Sequence, residues 1–146
     1  MDYKVSEVEL TYKNRTPYNE RKKVKDSQTA YTLLSEQFPN MDYRESFKVL
    51  YLNNAHQVLA CTTISEGGIT QTVADIRIIL QGALLTNATA MIIAHNHPSG
   101  EALPSREDKE LTTRIAEASK LLNMKLLDHL IITSEGYYSF VDNGMF

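Results

Sequence analysis

The sequence is poor in the residues that commit a chain to several common fates. Among its 146 residues there is one cysteine and no tryptophan. A single thiol, Cys61, cannot close an internal disulfide, and a cysteine-based zinc site needs at least two sulfurs. Cys61 therefore reads as a small buried hydrophobe. Six glycines and four prolines are too few for a collagen-like or low-complexity chain. No apolar run approaches the ~20 residues of a membrane span, so no membrane partner is expected. The charged first twelve residues lack the apolar stretch of a signal peptide, which makes the cytoplasm the expected compartment. An excess of positive charge is missing too. Fifteen Lys+Arg face eighteen Asp+Glu, for a net charge of −3, so nucleic acid is not a favoured partner.

What remains is an ordinary globular mixture, 42% hydrophobic and 23% charged, of a length that suits one core. Charge is unevenly placed. Residues 1–40 hold seven basic and six acidic side chains, and the rest of the chain is net acidic. The basic cluster Arg21, Lys22, Lys23 and Lys25 reads as a solvated turn before a helix, with a weak contact to an anionic partner as the other reading.

Periodicity divides the chain into alternating elements. Residues 5–12 alternate, with Val8, Leu10 and Tyr12 on one side, which predicts a strand. A polar loop with Pro17 follows. Residues 27–38 place Ala30, Leu33, Leu34 and Phe38 at helical spacing, stopped by Pro39 and Asn40. Strands are expected over 46–52 and 56–63, joined by a hairpin at Asn53-Asn54-Ala55. After a loop at Gly67-Gly68, residues 72–85 read as a helix. Residues 89–94 read as a short buried strand, residues 95–104 as a loop and 106–122 as a helix with Asn123 as its C-terminal cap. Strands over 126–133 and 137–141 complete the chain. These elements predict an α/β (α+β) fold, a mixed β-sheet sandwiched by helices. Residues 1–42 are expected to form a strand, loop and helix packing on a domain at 43–146.

The informative stretch is His95-Asn96-His97-Pro98-Ser99-Gly100, followed by Pro104-Ser105-Arg106-Glu107-Asp108. In extended backbone, residues two apart point the same way, so His95 and His97 can present two imidazoles to one point. Two neutral imidazoles converging there attract a divalent metal, zinc most often. The ten intervening residues are enough to turn the chain back and deliver Asp108 on the first turn of the next helix. Two histidines, an aspartate and an open fourth position form the pattern of a catalytic zinc site. Each feature has a plainer reading. Ser105 and Asp108 also fit a helix-capping pair, and a His-x-His at a strand end can be simple packing. A carboxylate must also take the proton from the attacking water. Glu45, Glu66, Glu101 and Glu107 are candidates. Glu45 stands at the entry of a hydrophobic strand, on the face of Phe47, Val49 and Tyr51; a solvated strand end is its alternative. His129, beside Asp128, reads as a core histidine or as a group that orients a ligand. His56 reads as exposed.

The same residues resemble the JAMM (JAB1/MPN+) metalloprotease signature: a glutamate, then His-x-His, seven residues, serine, two residues and aspartate. The string from His95 to Asp108 meets that spacing in full and is similar to the RadC-like branch of the JAB domain family. Asn87-Ala88 before the strand and Asp128-His129-Leu130-Ile131-Ile132 after it extend the likeness. The resemblance implies a cytidine deaminase-like JAB/MPN fold, with His95, His97 and Asp108 as zinc ligands. It implies Glu45 as general base and Ser105 as hydrogen-bond donor to the developing oxyanion. It also implies a peptide or protein substrate. Two features depart from the RadC-type pattern. Residues 1–42 are too short and glycine-poor for a helix-hairpin-helix-like region, and Asp75-Ile76-Arg77-Ile78 stands where relatives tend to carry Pro-Arg-Glu. The function expected is metallopeptidase activity. A DNA-associated role and a non-catalytic MPN interaction module are the alternatives. A zinc deaminase is excluded because its Pro-Cys-x-x-Cys is missing.

Overall fold

The computed structural model of the protein describes residues 4–67 and 73–146. Its center is a mixed five-stranded sheet. The strands are β1 (Ser46–Leu52), β2 (Val58–Glu66), β3 (Ala90–Asn96), β4 (Lys125–Thr133) and β5 (Gly136–Ser139), in the order β2-β1-β3-β4-β5. Among the described residues only the β3–β4 pair is parallel. That pair needs a crossover, and α3 (Arg106–Leu121) supplies it. The other helices are α1 (Ser27–Ser35) and α2 (Ile76–Leu85).

Period-2 alternation along buried strands splits the core into two layers. Leu50, Leu52, Ile92, Ala94, Leu130 and Ile132 pack under α1 through Ala30 and Leu34. Phe47, Val49, Tyr51, Met91 and Ile93 face the other way, against Ile79 and Ala83 of α2 and Ile115 of α3. The sheet is thus sandwiched by helices, as the alternating pattern implied. Among the described residues no helix is long and apolar enough to cross a membrane.

The hairpin between β1 and β2 is organized by Asn53, whose side chain accepts from the backbone N–H groups of Ala55 and Gln57. His56 occupies left-handed backbone at φ 58° and is exposed. The basic cluster is stitched to β2 by a bridge between Lys23 and Gln57, while Val24 enters the core. Asp26 then caps α1 by accepting from the Thr29 N–H. Asn123, with φ 55°, ends the last helical turn.

Three expectations need correction. Residues 5–12 form no strand. Val8 and Leu10 are 82% and 76% exposed, so the alternating side chains found no core to enter. Leu10, Thr11 and Tyr12 instead line a cleft with Gln81, Leu84 and Leu85 of α2, and the Tyr12 hydroxyl donates to the Leu59 carbonyl. The helix expected from residue 72 begins at Ile76, where the Asp75 side chain accepts from the Arg77 N–H and caps it. Residues 68–72, including Gly68 and Thr72, lie outside the described residues. Cys61 is only partly buried, because β2 is an edge strand; it rests against the α1 layer, and burial raises its pKa.

One packing contact makes a strong prediction. Gly82 of α2 sits against the buried Tyr51 ring, whose hydroxyl donates to the Ile79 carbonyl at 2.7 Å. A Cβ at Gly82 would overlap that hydroxyl and come within 2.6 Å of the ring carbon bearing it. Alanine would add ~1 kcal/mol of helix propensity, but overpacking a closed core outweighs it. Gly82→Ala is expected to destabilize the fold by about 1–3 kcal/mol in urea denaturation. An unchanged or raised midpoint would show that Tyr51 yields freely.

Candidate metal centre

The site lies at the carboxyl end of β3, where the parallel β3–β4 pair opens toward the loop before α3. His95 is the penultimate residue of β3 and points into the α2/α3 layer, in register with Phe47 of β1. The two rings stack with centroids 5.9 Å apart and planes within 6°. His97 follows two residues later. Its N–H is held by the Ile132 carbonyl, which extends β3 pairing far enough to keep both rings on one side. Their Nε2 atoms stand 2.9 Å apart.

Asp108 closes the group from α3. Its carboxylate oxygens lie 3.3 Å from His95 Nε2 and 3.4 Å from His97 Nε2. The capping reading of Asp108 also holds. Asp108 accepts from the Ser105 N–H, and its own N–H donates to Ser105 Oγ. The two readings are compatible because one carboxylate has lone pairs to spare. The capping pair holds Asp108 in the orientation that faces the imidazoles. Ser105 is exposed, and with its lone pair taken by Asp108 its hydroxyl proton remains available to a ligand.

Glu45 completes the set. A carboxylate oxygen of Glu45 and a ring nitrogen from each of His95 and His97 all lie within 4.8 Å of one another, so these three could hold a metal ion. Glu66, Glu101 and Glu107 are exposed. Glu101 contributes through its backbone, where its carbonyl accepts from His97 Nδ1 at 2.8 Å. A carbonyl can only accept, so Nδ1 carries a proton; in the neutral ring Nε2 is then the bare nitrogen that faces the site.

Sequence reasoning missed why Glu45 arrives there. Asn96, the middle residue of the His-x-His, points into the opposite layer and is fully buried. Its Oδ1 accepts from the Ser46 N–H, and its Nδ2 donates to the Met41 and Arg44 carbonyls. The residue between the two imidazoles thus clamps the segment that carries Glu45. The sequence pattern placed His95 and Asn96 in a loop, whereas β3 runs through both of them, so the buried strand position of Asn96 gave no signal. His129 is also resolved. It is fully buried, its Nε2 lies 2.8 Å from His95 Nδ1, and it stacks on Phe140. Burial, with the charge of His95, holds its pKa well below the ordinary imidazole value.

The two carboxylates are driven apart electrostatically. Burial raises the pKa of Asp108, but hydrogen bonds from His95 and His97 more than reverse this and hold it far below the carboxylate range. Burial raises that of Glu45, and Asp108 adds to the rise, with the imidazoles opposing. Burial also pulls His97 down, yet the hydrogen bonds to Asp108 and the Glu101 carbonyl and the nearby negative charges leave it above its ordinary value.

Comparison with known proteins identifies the relatives of the chain. The RadC-like JAB domain matches residues 24–145. A UPF0758 protein of Flavobacterium johnsoniae is 44% identical over 125 residues, covering 86% of this chain and 54% of that protein. One of Porphyromonas gingivalis is 40% identical over 126 residues, covering 86% and 55%. UPF0758 protein YkfG of Escherichia coli is 44% identical over 102 residues, covering 70% of this chain and 65% of its own length. The chain thus spans a little over half the length of the first two curated relatives and under two thirds of the third.

Proposed function

The chain belongs to the RadC-like JAB domain family, and from that premise we propose that it is a zinc-dependent hydrolase of the JAMM type, cleaving a peptide or isopeptide bond. The observation that carries this reading is the convergence of Glu45 with His95 and His97, with Asp108 in contact with both imidazoles.

The donor set fits zinc. Ligands at ~2.0–2.1 Å in a tetrahedron stand roughly 3.3 Å from one another. His95 Nε2 and His97 Nε2 are 2.9 Å apart, and they lie 3.3 Å from Asp108 Oδ1 and 3.4 Å from Asp108 Oδ2 respectively. Two imidazole nitrogens and a carboxylate gathered this closely form a donor set that suits a divalent cation. His95, His97 and Asp108 would hold it. When bound, zinc supplies Lewis acidity, lowering the pKa of water and polarizing a carbonyl.

The carboxylates divide the labour by their environments. Asp108, held ionized, suits the permanent ligand. Glu45, with its pKa raised by burial, suits proton transfer near neutral pH. It takes the proton from the attacking water and gives it to the leaving amine. The Ser105 hydroxyl donates to the oxygen on which negative charge develops.

The test is direct. Protein purified without chelator is expected to carry about one zinc per chain, the number one such site holds, and to cleave members of a peptide and isopeptide library. A chelator should abolish turnover and zinc should restore it. A chain that takes no zinc would favour a non-catalytic module. Acidity should matter in a defined direction. Because His97 binds its proton more tightly than a free imidazole, protons compete with the metal. Zinc affinity should fall as pH drops through the neutral range, and metal uptake there should release protons. Calorimetry in buffers of different ionization enthalpy measures that release. Uptake with no proton exchange between pH 6 and 7, around the ordinary imidazole pKa of ~6.5, would contradict the assigned ligand set.

A further inference from the structure

A polar chain runs from α3 into the back of His95, and its direction is set by chemistry. Thr112, one turn after Asp108, is buried. Its Oγ1 lies 2.6 Å from the Asp108 backbone carbonyl and 2.6 Å from His129 Nδ1. On its other side, His129 Nε2 meets His95 Nδ1 at 2.8 Å. Each of these contacts is at hydrogen-bond distance, between groups that can pair as donor and acceptor. A carbonyl has no proton to offer, so the Thr112 hydroxyl donates to Asp108. Its lone pair must then accept from His129, which places the His129 proton on Nδ1. His129 Nε2 is bare, so it accepts from His95 Nδ1–H. The His95 proton is thereby fixed on the side away from the site, and Nε2 faces Asp108 and His97 as a lone pair.

We infer that Thr112 and His129 are positioning residues that set the tautomer of His95, making it a ready metal ligand before any metal arrives. The inference rests on the metal-centre reading above. Neither residue touches the ion's position; both act through His95. The arrangement explains why a histidine occupies a fully buried position in β4. A leucine there would fill space but would leave the His95 Nδ1–H without a partner. It also ties two ligands together. The carbonyl that orients the Thr112 hydroxyl belongs to Asp108, so the helix turn carrying the carboxylate also governs the imidazole. Glu101 performs the same task for His97 with a carbonyl alone. His95 is too deeply buried for a loop carbonyl to reach it and is served through the core.

The opposite polarity makes a different molecule. If the Thr112 hydroxyl donated to His129 Nδ1, His129 would carry its proton on Nε2. His95 would then point an N–H into the site and could not ligate without turning over its tautomer. Long-range nitrogen–proton NMR spectra of the zinc-free protein decide between them. The expected result is a proton on Nδ1 of His129 and a bare Nε2. A proton on His129 Nε2 would overturn the inference, because the metal, not the chain, would then choose the tautomer. This spectrum needs no variant and so does not depend on how a substitution folds.

Variants supply the second readout. Thr112→Val removes the hydroxyl at nearly constant volume. It should leave His129 as a mixture of tautomers and weaken zinc binding by roughly 10–100-fold in competition with a chromophoric chelator. Thr112→Ser keeps the hydroxyl and should restore both. A purely structural role for Thr112 would lower the melting temperature while leaving tautomer and zinc affinity as in the wild type, and that outcome would overturn the inference. Should the wild-type protein show the expected tautomer yet bind no zinc, the metal-centre reading would fall while the polarity of the chain would stand.

Discussion

Glu45→Gln is expected to reduce amide hydrolysis by roughly 10²–10⁴-fold, the usual contribution of a positioned acid–base group, while leaving zinc content unchanged. The amide keeps the size of the side chain but cannot accept and return a proton. Glu45 is half-buried, and its carboxyl pKa is raised, chiefly by desolvation, so removing the charge relieves a desolvation cost. The variant should be no less stable than the parent. Turnover assays and metal analysis on the same preparations check both halves. Full activity in Glu45→Gln would remove Glu45 from the proton path. Loss of zinc together with activity would make it a ligand, a role its proximity to both imidazoles also permits.

Asp108 offers the other large effect, because two substitutions separate its two tasks. Asparagine retains an oxygen that can accept from the Ser105 N–H, so the start of α3 should survive in Asp108→Asn. The negative charge is lost, however, and zinc content should drop to near zero. Asp108→Ala loses charge and cap together. It should match the asparagine variant in zinc content and also lose about 1 kcal/mol of stability, the usual worth of a helix cap. Metal analysis and urea denaturation of the pair provide the comparison. If Asp108→Asn kept its zinc at wild-type affinity, the carboxylate would be a cap that merely lies near the imidazoles. His97→Ala serves as a control. His97 is partly exposed, so it should lose metal with little change in stability.

Much of the fold follows from local pattern. The β1 expectation matches its observed limits, and β3, α3 and β4 begin within one residue of where periodicity placed them. The strands among these are buried and α3 turns one stripe to the core, so side-chain period and core contact agree. Residues 5–12 show the opposite case. Alternation specifies two faces of a strand, but a strand also needs a backbone partner, and this segment has none in the sheet. The early start expected for α2 has a similar origin. Val73 and Ala74 continue the apolar stripe, yet Asp75 stops the helix short of them by capping it.

The residues of the candidate metal centre were legible because their spacing is short and their elements regular. His95 and His97 share a face by strand geometry, and the loop to Asp108 ends at a capping pair that local chemistry predicts. Glu45 is fifty residues from His95 along the chain, and its placement comes from the antiparallel register of β1 on β3 and from the clamp of Asn96. Thr112 was invisible to sequence reasoning. Threonine in a helix that bonds back to its own carbonyl is commonplace, and nothing nearby in sequence announces that an imidazole from β4 will meet it.

The amino-acid order by itself determined which chemical groups are present, how they are spaced within each element and which of them face one way. Those properties depend on bond geometry and on contacts a few residues long. The tertiary structure alone decided that a carboxylate just before β1 meets the imidazoles at the end of β3, and which group each ring nitrogen faces. Such outcomes depend on strand register and on hydrogen bonds between distant elements, where a displacement of one residue turns a side chain to the opposite face.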